Sequence, residues 1–208
     1  MFDIENFPAF VTACVLLNLT PGQDTLFIVG RTVAEGRRVG VASALGISAG
    51  TVVHILAAAL GLSAILATSA TAFLIVKLIG AAYLIYLGVG LLFARSSSAL
   101  ELEPSSQLPP IEAFKQGVLT NVTNPKVALF FLAFLPQFVA PDGSSRILSM
   151  VLLGLTFLTT GTLWCVTLAF IADRVKAVLT PGARAGVWLS RACGTLFIAL
   201  GIRLATSR

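Results

Sequence analysis

Asn18-Leu19-Thr20-Pro21-Gly22-Gln23-Asp24 interrupts the first apolar run of the chain, and Asn121-Val122-Thr123-Asn124-Pro125-Lys126 interrupts the fourth. Proline removes a backbone donor and clashes with the preceding helical turn. In lipid the carbonyls it frees are tolerated only where protein or a water-filled cavity satisfies them. At about 1.5 Å per residue, Pro21 lies roughly 21 Å from Phe7 and Pro125 about 17 Å from Phe114. Both breaks thus fall near the middle of a hydrocarbon core of ~30 Å. Asp24 and Lys126 each follow a proline closely. A charge at that depth costs roughly 2.5–3.5 kcal/mol on insertion scales, so each needs a partner or a task.

The rest of the sequence supplies the membrane that this reading needs. Of 208 residues, 57% are hydrophobic and 11% charged, and the mean hydropathy is +0.95. A soluble domain carries roughly 25% charged residues, which excludes an ordinary soluble enzyme. Six apolar runs follow one another: Phe7–Val29, Val39–Ala67, Ala70–Ala94, Phe114–Val139, Ile147–Ala172 and Val187–Ala205. Each is close to the ~20 residues of a spanning helix. The expected fold is therefore all-α, one polytopic transmembrane domain over residues 1–208. Thr68–Thr71 reads as a tight turn, and a Ser-, Glu- and Pro-rich linker occupies about residues 95–113.

On either side of that linker the halves, about 7–94 and 114–205, resemble each other. With Pro21 set on Pro125, Leu26-Phe27-Ile28 falls on Phe130-Phe131-Leu132 and Gly50 on Gly154. Tyr86-Leu87-Gly88-Val89 ends the third run, as Ala199-Leu200-Gly201-Ile202 ends the sixth. A unit of three helices must enter the membrane with opposite polarity in its second copy. That is an inverted repeat with broken helices 1 and 4, the architecture of alternating access.

The charge balance of +5 and a pI near 9.6 accompany no nucleic-acid-binding motif. Instead the cations mark helix ends. Nine (Arg31, Arg37, Arg38, Arg95, Lys115, Arg174, Lys176, Arg184 and Arg191) fall on one side, and Arg146, Arg203 and Arg208 on the other. This bias places the 1–2, 3–4 and 5–6 loops in the cytoplasm and both termini outside. Asp3 and Glu5 replace the basic start of a cleaved signal peptide, so the first run is expected to remain. Cys14, Cys165 and Cys193 all lie in apolar runs and read as small buried hydrophobes. The reading calls for no cofactor and no metal.

Candidate site residues cluster at the breaks. Thr20, Pro21, Gly22, Asn124 and Pro125 shape them, and Asn18 and Asn121 are expected to bond the freed carbonyls. Both asparagines match Asn-x-Thr, but an apolar run cannot be reached for glycosylation. Amides exposed by a break suit a substrate carboxylate, and Asp24 suits a substrate ammonium or a proton. Alternatively, Asp24 and Lys126 pair and pin the two helices. His54 shares a helical face, within about 80° of arc, with Gly46, Gly50, Ala57 and Gly61. It is either a satisfied core residue or a proton carrier. Lys77 shares a face with Gly80, Ala81, Leu84 and Gly88, and either lines the bundle or snorkels outward. Gln137 reads as a helix cap.

Together these motifs resemble the LysE/RhtB family of amino-acid exporters (homoserine-, threonine- and lysine-type efflux proteins). The resemblance rests on Thr20–Asp24, Gly46…Gly50…His54…Gly61-Leu62, Lys77…Gly80-Ala81-Ala82-Tyr83-Leu84…Leu87-Gly88, Asn121…Asn124-Pro125-Lys126 and Phe130-Phe131…Leu135-Pro136-Gln137-Phe138. It implies a bacterial inner-membrane secondary transporter exporting amino acids or their derivatives, energised by proton entry. One departure is Gln23-Asp24, where members commonly show a second proline or a small residue, often before Asn. Three other classes compete with this reading. They are an exporter of another small solute or a cation on the same scaffold, a channel or scaffold, and a thiol–disulfide electron carrier. The last needs two cysteines that can meet beside the breaks, and the fourth run has none. A homodimer is compatible with the sequence.

The charge bias yields a direct test of orientation. A tag at either terminus should react with an impermeant reagent from outside the cell membrane. Protection of both tags would overturn the assignment.

Overall fold

The computed structural model describes residues 3–62, 70–93, 108–140 and 145–175, with isolated helical positions between 191 and 206. The described residues are all-helical, apart from one isolated bridge between Ile4 and Val139. Helix α1 spans Phe7–Leu19 and α2 spans Gln23–Glu35, so the first apolar run is broken at Thr20–Gly22. Helix α3, Arg37–Leu56, continues as a π-helical turn over Ala57–Leu62. Helix α4 covers Ala70–Phe93. The fourth run is broken too, into α5, Pro110–Val122, and α6, Pro125–Leu129. Beyond α6 the chain tightens from a π turn at Phe130–Phe134 to a 3-10 turn at Leu135–Phe138. Helix α7 is Arg146–Val175. The sixth run and Thr68-Ser69 lie largely outside the described residues.

Two boundaries differ from the apolar count. Helix α2 runs past Val29 to Glu35, where Gly36 ends it at a φ of 88°, a conformation that favours glycine. Its polar end is held by Arg31, which bonds Glu35 at 2.6 Å and Gln116 of α5 at 2.7 Å. Helix α5 begins at Pro110, inside the stretch read as linker. A proline at the first helical position loses no bond, and Glu112 suits the positive end of the helix.

Among the described residues, Arg37–Gly61 and Arg146–Arg174 are long and apolar enough to cross a bilayer. The pair Pro110–Val122 and Pro125–Phe138, bent by 46°, meets the same criterion when taken together, as a broken span or a re-entrant loop. Large apolar side chains point away from the protein along these helices, with Leu60 63% and Leu163 66% exposed. Such a surface belongs in lipid.

Two kinds of contact stand out among the described residues. Small residues bring α3 and α5 together: a Cβ on Gly46 would lie 2.1 Å from the Phe114 carbonyl oxygen, and one on Gly117 2.6 Å from that of Ser43. Lipid offers no hydrophobic force between helices, so such close van der Waals approach drives association. The second contact is aromatic. Phe10 of α1 meets Phe138 at 5.2 Å between ring centroids, and Phe130 meets Phe157 of α7 at 5.0 Å. Cys14 and Leu17 complete this buried cluster.

The expected small-residue face of the second run holds only in part. Gly46, Gly50 and His54 are buried, but Ala57 is exposed and a Cβ on Gly61 would meet nothing within 4 Å. The π turn at Ala57 breaks the 3.6-residue phase and turns Ala58 and Ala59 inward instead.

Gly46→Ala should therefore destabilise the purified protein by about 1–3 kcal/mol, since the opposing atom is backbone and cannot yield. Gly61→Ala should leave the melting temperature unchanged. Equal effects of the two substitutions would refute the close α3–α5 contact.

Candidate functional site

The two breaks lie side by side, and each is closed by residues from elsewhere in the chain. At the end of α1 helical donors run short: the Thr20 N–H is shared between Leu16 O at 3.1 Å and Leu17 O at 3.2 Å, and Pro21 has no N–H to add. The Lys126 Nζ donates to Thr20 O at 3.0 Å and to Leu17 O at 3.3 Å. The Thr20 hydroxyl donates to Leu16 O at 2.7 Å. A cation at a helix C-terminus also meets the negative end of the helix dipole. Gly22 gives the lysine room, since a Cβ there would lie 3.1 Å from Nζ.

At the second break the Asn124 side chain caps α6 by accepting from the Lys126 backbone N–H at 3.0 Å. The Asn121 carbonyl pairs with His54 Nε2 at 2.9 Å. A carbonyl only accepts, so Nε2 carries the hydrogen. His54 also stacks on Phe131, with centroids 6.0 Å apart.

Asn121 joins the breaks. Buried to 1% exposure, its Nδ2 donates to Asp24 Oδ2 at 2.9 Å, and its Oδ1 accepts from Thr51 at 3.3 Å. Asp24 stands in the first turn of α2, where the helix dipole favours its negative charge. Its second oxygen, Oδ1, is buried without a hydrogen-bond partner, as are Asn124 Nδ2 and Trp164 Nε1. Buried polar atoms are normally paired, and among the described residues these three are not; two of them, on Asp24 and Trp164, belong to side chains that line one place between the broken helices and α7.

That place is a cavity of about 40 Å³. Leu17, Asn18, Asp24, Thr25, Asn121 and Lys126 line it from the broken helices; Ser48 and Thr51 line it from α3; Gly161, Thr162, Trp164 and Cys165 do so from α7. It has room for a few waters at roughly 10–15 Å³ each, far short of the ~300–1,000 Å³ of ligand pockets.

Four of the expected site residues (Asn18, Asp24, Asn121 and Lys126) thus reach the cavity, while Thr20, Pro21, Gly22, Asn124 and Pro125 form the breaks around it. His54 sits one layer behind, holding Asn121. Lys77 lies on α4, with its side chain outside the described residues. Gln137 donates to Ala133 O at 3.1 Å, within its own segment. The asparagines do not take the freed carbonyls as expected. Asn18 donates to Thr160 at 3.4 Å, and Lys126 and His54, with longer reach, satisfy the backbone. The α7 residues were not anticipated, because nothing in an apolar run marks which face turns inward. Cys165 lines the cavity and is more than the core filler its sequence context suggested.

A family model described as LysE type translocator matches residues 15–208. The chain belongs to the LysE type translocator family. Members of this family are transporters and not enzymes, so the chain is a transmembrane transport protein. A homoserine/homoserine lactone efflux protein of Salmonella typhimurium is 32% identical over 201 residues, covering 96% of each chain. An uncharacterized membrane protein of Pseudomonas aeruginosa is 31% identical over 209 residues, covering 98% of this chain and 96% of its own. A leucine efflux protein of Salmonella choleraesuis is 30% identical over 138 residues, 66% of this chain and 65% of its own. No solved structure matches the chain.

The Asn121–Asp24 bond is open to a double-mutant cycle. Asn121→Ala and Asp24→Ala should couple by about 1.5–3 kcal/mol in unfolding experiments, the range for a hydrogen bond to a charged group. Effects that add within about 0.5 kcal/mol would show that the two side chains act independently.

Proposed function

We propose that this LysE type translocator exports amino acids or their derivatives by proton antiport, with its site in the cavity between the two broken helices. The observation that carries this reading is the convergence of Asp24, Asn121 and Lys126 on one small cavity, with one Asp24 carboxylate oxygen buried and unpaired among the described residues. A zwitterion has one charge for each end of that arrangement. Its ammonium is attracted by Asp24, and its carboxylate by Lys126. The relatives named for homoserine and leucine efflux support zwitterions, and homoserine lactone, which has no free carboxylate, shares only the amino group. The unlike side chains of those substrates are consistent with recognition centred on the shared amino group.

Export needs the cavity to open on one side at a time. In this reading the halves before and after the linker form the inverted repeat, and α1–α2 and α5–α6 are its matched broken helices. Hydrogen bonds that cross between the halves, Lys126 to α1 and Asn121 to Asp24, are the ones that break and re-form. Asp24 takes the coupling proton on the oxygen that has no partner. Protonation removes its attraction for the substrate ammonium, so release and proton entry are linked. The bias of cations toward one side supports termini outside, in the bacterial inner membrane that this function calls for.

Hydrogen bonds at each end of the bundle support the grouping of ends that this topology needs. Glu5 N–H donates to Phe138 O and Ser145 N–H to Asp3, both at 2.8 Å, which puts the N-terminus beside the start of α7. Arg31 and Glu35 bond Gln116 and Leu108, which puts the α2–α3 turn beside the start of α5.

Cells loaded with radiolabelled amino acids should release homoserine or an aliphatic amino acid faster when they carry the protein, and an uncoupler should abolish the gain. Asp24→Asn and Lys126→Ala should each reduce efflux to the background rate while the protein remains inserted. Unchanged efflux in both variants would remove the site from this cavity.

A further inference from the structure

The Leu17 and Thr20 carbonyls and the lysine between them have a chemistry of their own. An ammonium group has three N–H donors and no acceptor. At the end of α1 it finds two carbonyl oxygens, at 3.3 and 3.0 Å, pointing out of a helix whose next residue, Pro21, has no N–H to offer. The helix dipole adds negative potential there. Gly22 leaves the flank open, and the cavity holding Asp24 begins at the same side chain. Carbonyls, dipole and carboxylate together describe a seat for a primary ammonium, and the group in it is attached to the protein by four methylenes.

Building on the export reading above, we propose that the Leu17–Thr20 carbonyl pair is a primary-ammonium site, filled here by Lys126 and taken over by the ammonium of the substrate during export. The exchange is balanced. The arriving ammonium satisfies the same carbonyls, and the displaced Lys126 turns to the substrate carboxylate. Lys126 is then a tethered competitor. It keeps the seat filled when no amine is present, and it yields only to a solute that brings N–H donors and positive charge together. Solutes lacking an ammonium leave the seat with Lys126 and do not open the site.

A chemical-rescue experiment on purified protein tests the seat without reference to any transported amino acid. Lys126→Ala should melt below the wild type, because the Thr20 carbonyl loses its ammonium donor and the Leu17 carbonyl keeps only the shared Thr20 N–H. Methylammonium should raise its melting temperature saturably by roughly 2–4 °C, about 1 kcal/mol of binding for a chain of this size. Tetramethylammonium at equal ionic strength, having no N–H, should do neither, and the wild type should respond to neither salt. Should the alanine variant not fold, Lys126→Met keeps the stem but stops one atom short, leaving the Nζ position to the probe. Equal responses to the two salts, or none, would overturn the ammonium site.

Takeover by the substrate is read separately, in vesicles. An exported amino acid should lose at least tenfold in rate when its ammonium is replaced by hydroxyl in the 2-hydroxy acid. Equal transport of the two would overturn the takeover. Methylammonium rescue without any amino-acid efflux would retain the site and overturn the export reading.

Discussion

A helix broken inside a membrane must satisfy its freed backbone groups from within the protein, because the bilayer core offers no water to do so. The chain breaks two helices and meets the requirement by crossing them. Lys126, just past the second break, serves the carbonyls at the first. His54 of α3 serves the Asn121 carbonyl at the second, and the side chain of Asn121 returns to Asp24 just past the first. Neither break is complete without residues from beyond it. Four side chains thereby fix the relative position of the two halves and gather ionisable groups into one small space.

The packing around this space follows from the same requirement. Satisfying a backbone carbonyl across two helices demands close approach, and the α3–α5 contact at Gly46, Gly50 and Gly117 supplies it. On the other side the buried aromatic cluster of α1, the turns after α6, and α7 holds the broken ends against a continuous helix. The change from α to π to 3-10 winding over Phe130–Phe138 sets four phenylalanines on that surface. With only van der Waals contact available, aromatic area is an effective way to anchor a helix that lacks its full ladder of bonds.

Much of this was legible in the chain itself. Pro21 and Pro125 located the breaks, the scarcity of charge identified the solvent, and Asp24 and Lys126 stood out as charges with no reason to be in lipid. What was not legible was who meets whom. Spacing along one helix gives its faces but not the rotation of one helix against another, so Asn18 and Asn121 looked like the natural partners of the freed carbonyls. Lysine and histidine reach further and took that role. Cavity residues of α7 such as Thr162 and Trp164 were missed for a related reason: Thr156, Thr159, Thr160, Thr162 and Thr167 are spread around this helix, so its polar residues do not mark one inner face. Ala57 and Gly61 show the third limit, since extrapolating a 3.6-residue period fails where the winding changes.

If the crossing of the two breaks is the point where transport occurs, a residue in the cavity must see each side of the membrane in turn. Thr25, which lines the cavity from the first turn of α2, is suited to report this. In a cysteine-free background, Thr25→Cys should react with an impermeant thiol reagent in both right-side-out and inside-out vesicles, and the exported amino acid should slow both reactions. Reaction from one side only, or from both sides without regard to substrate, would contradict the account.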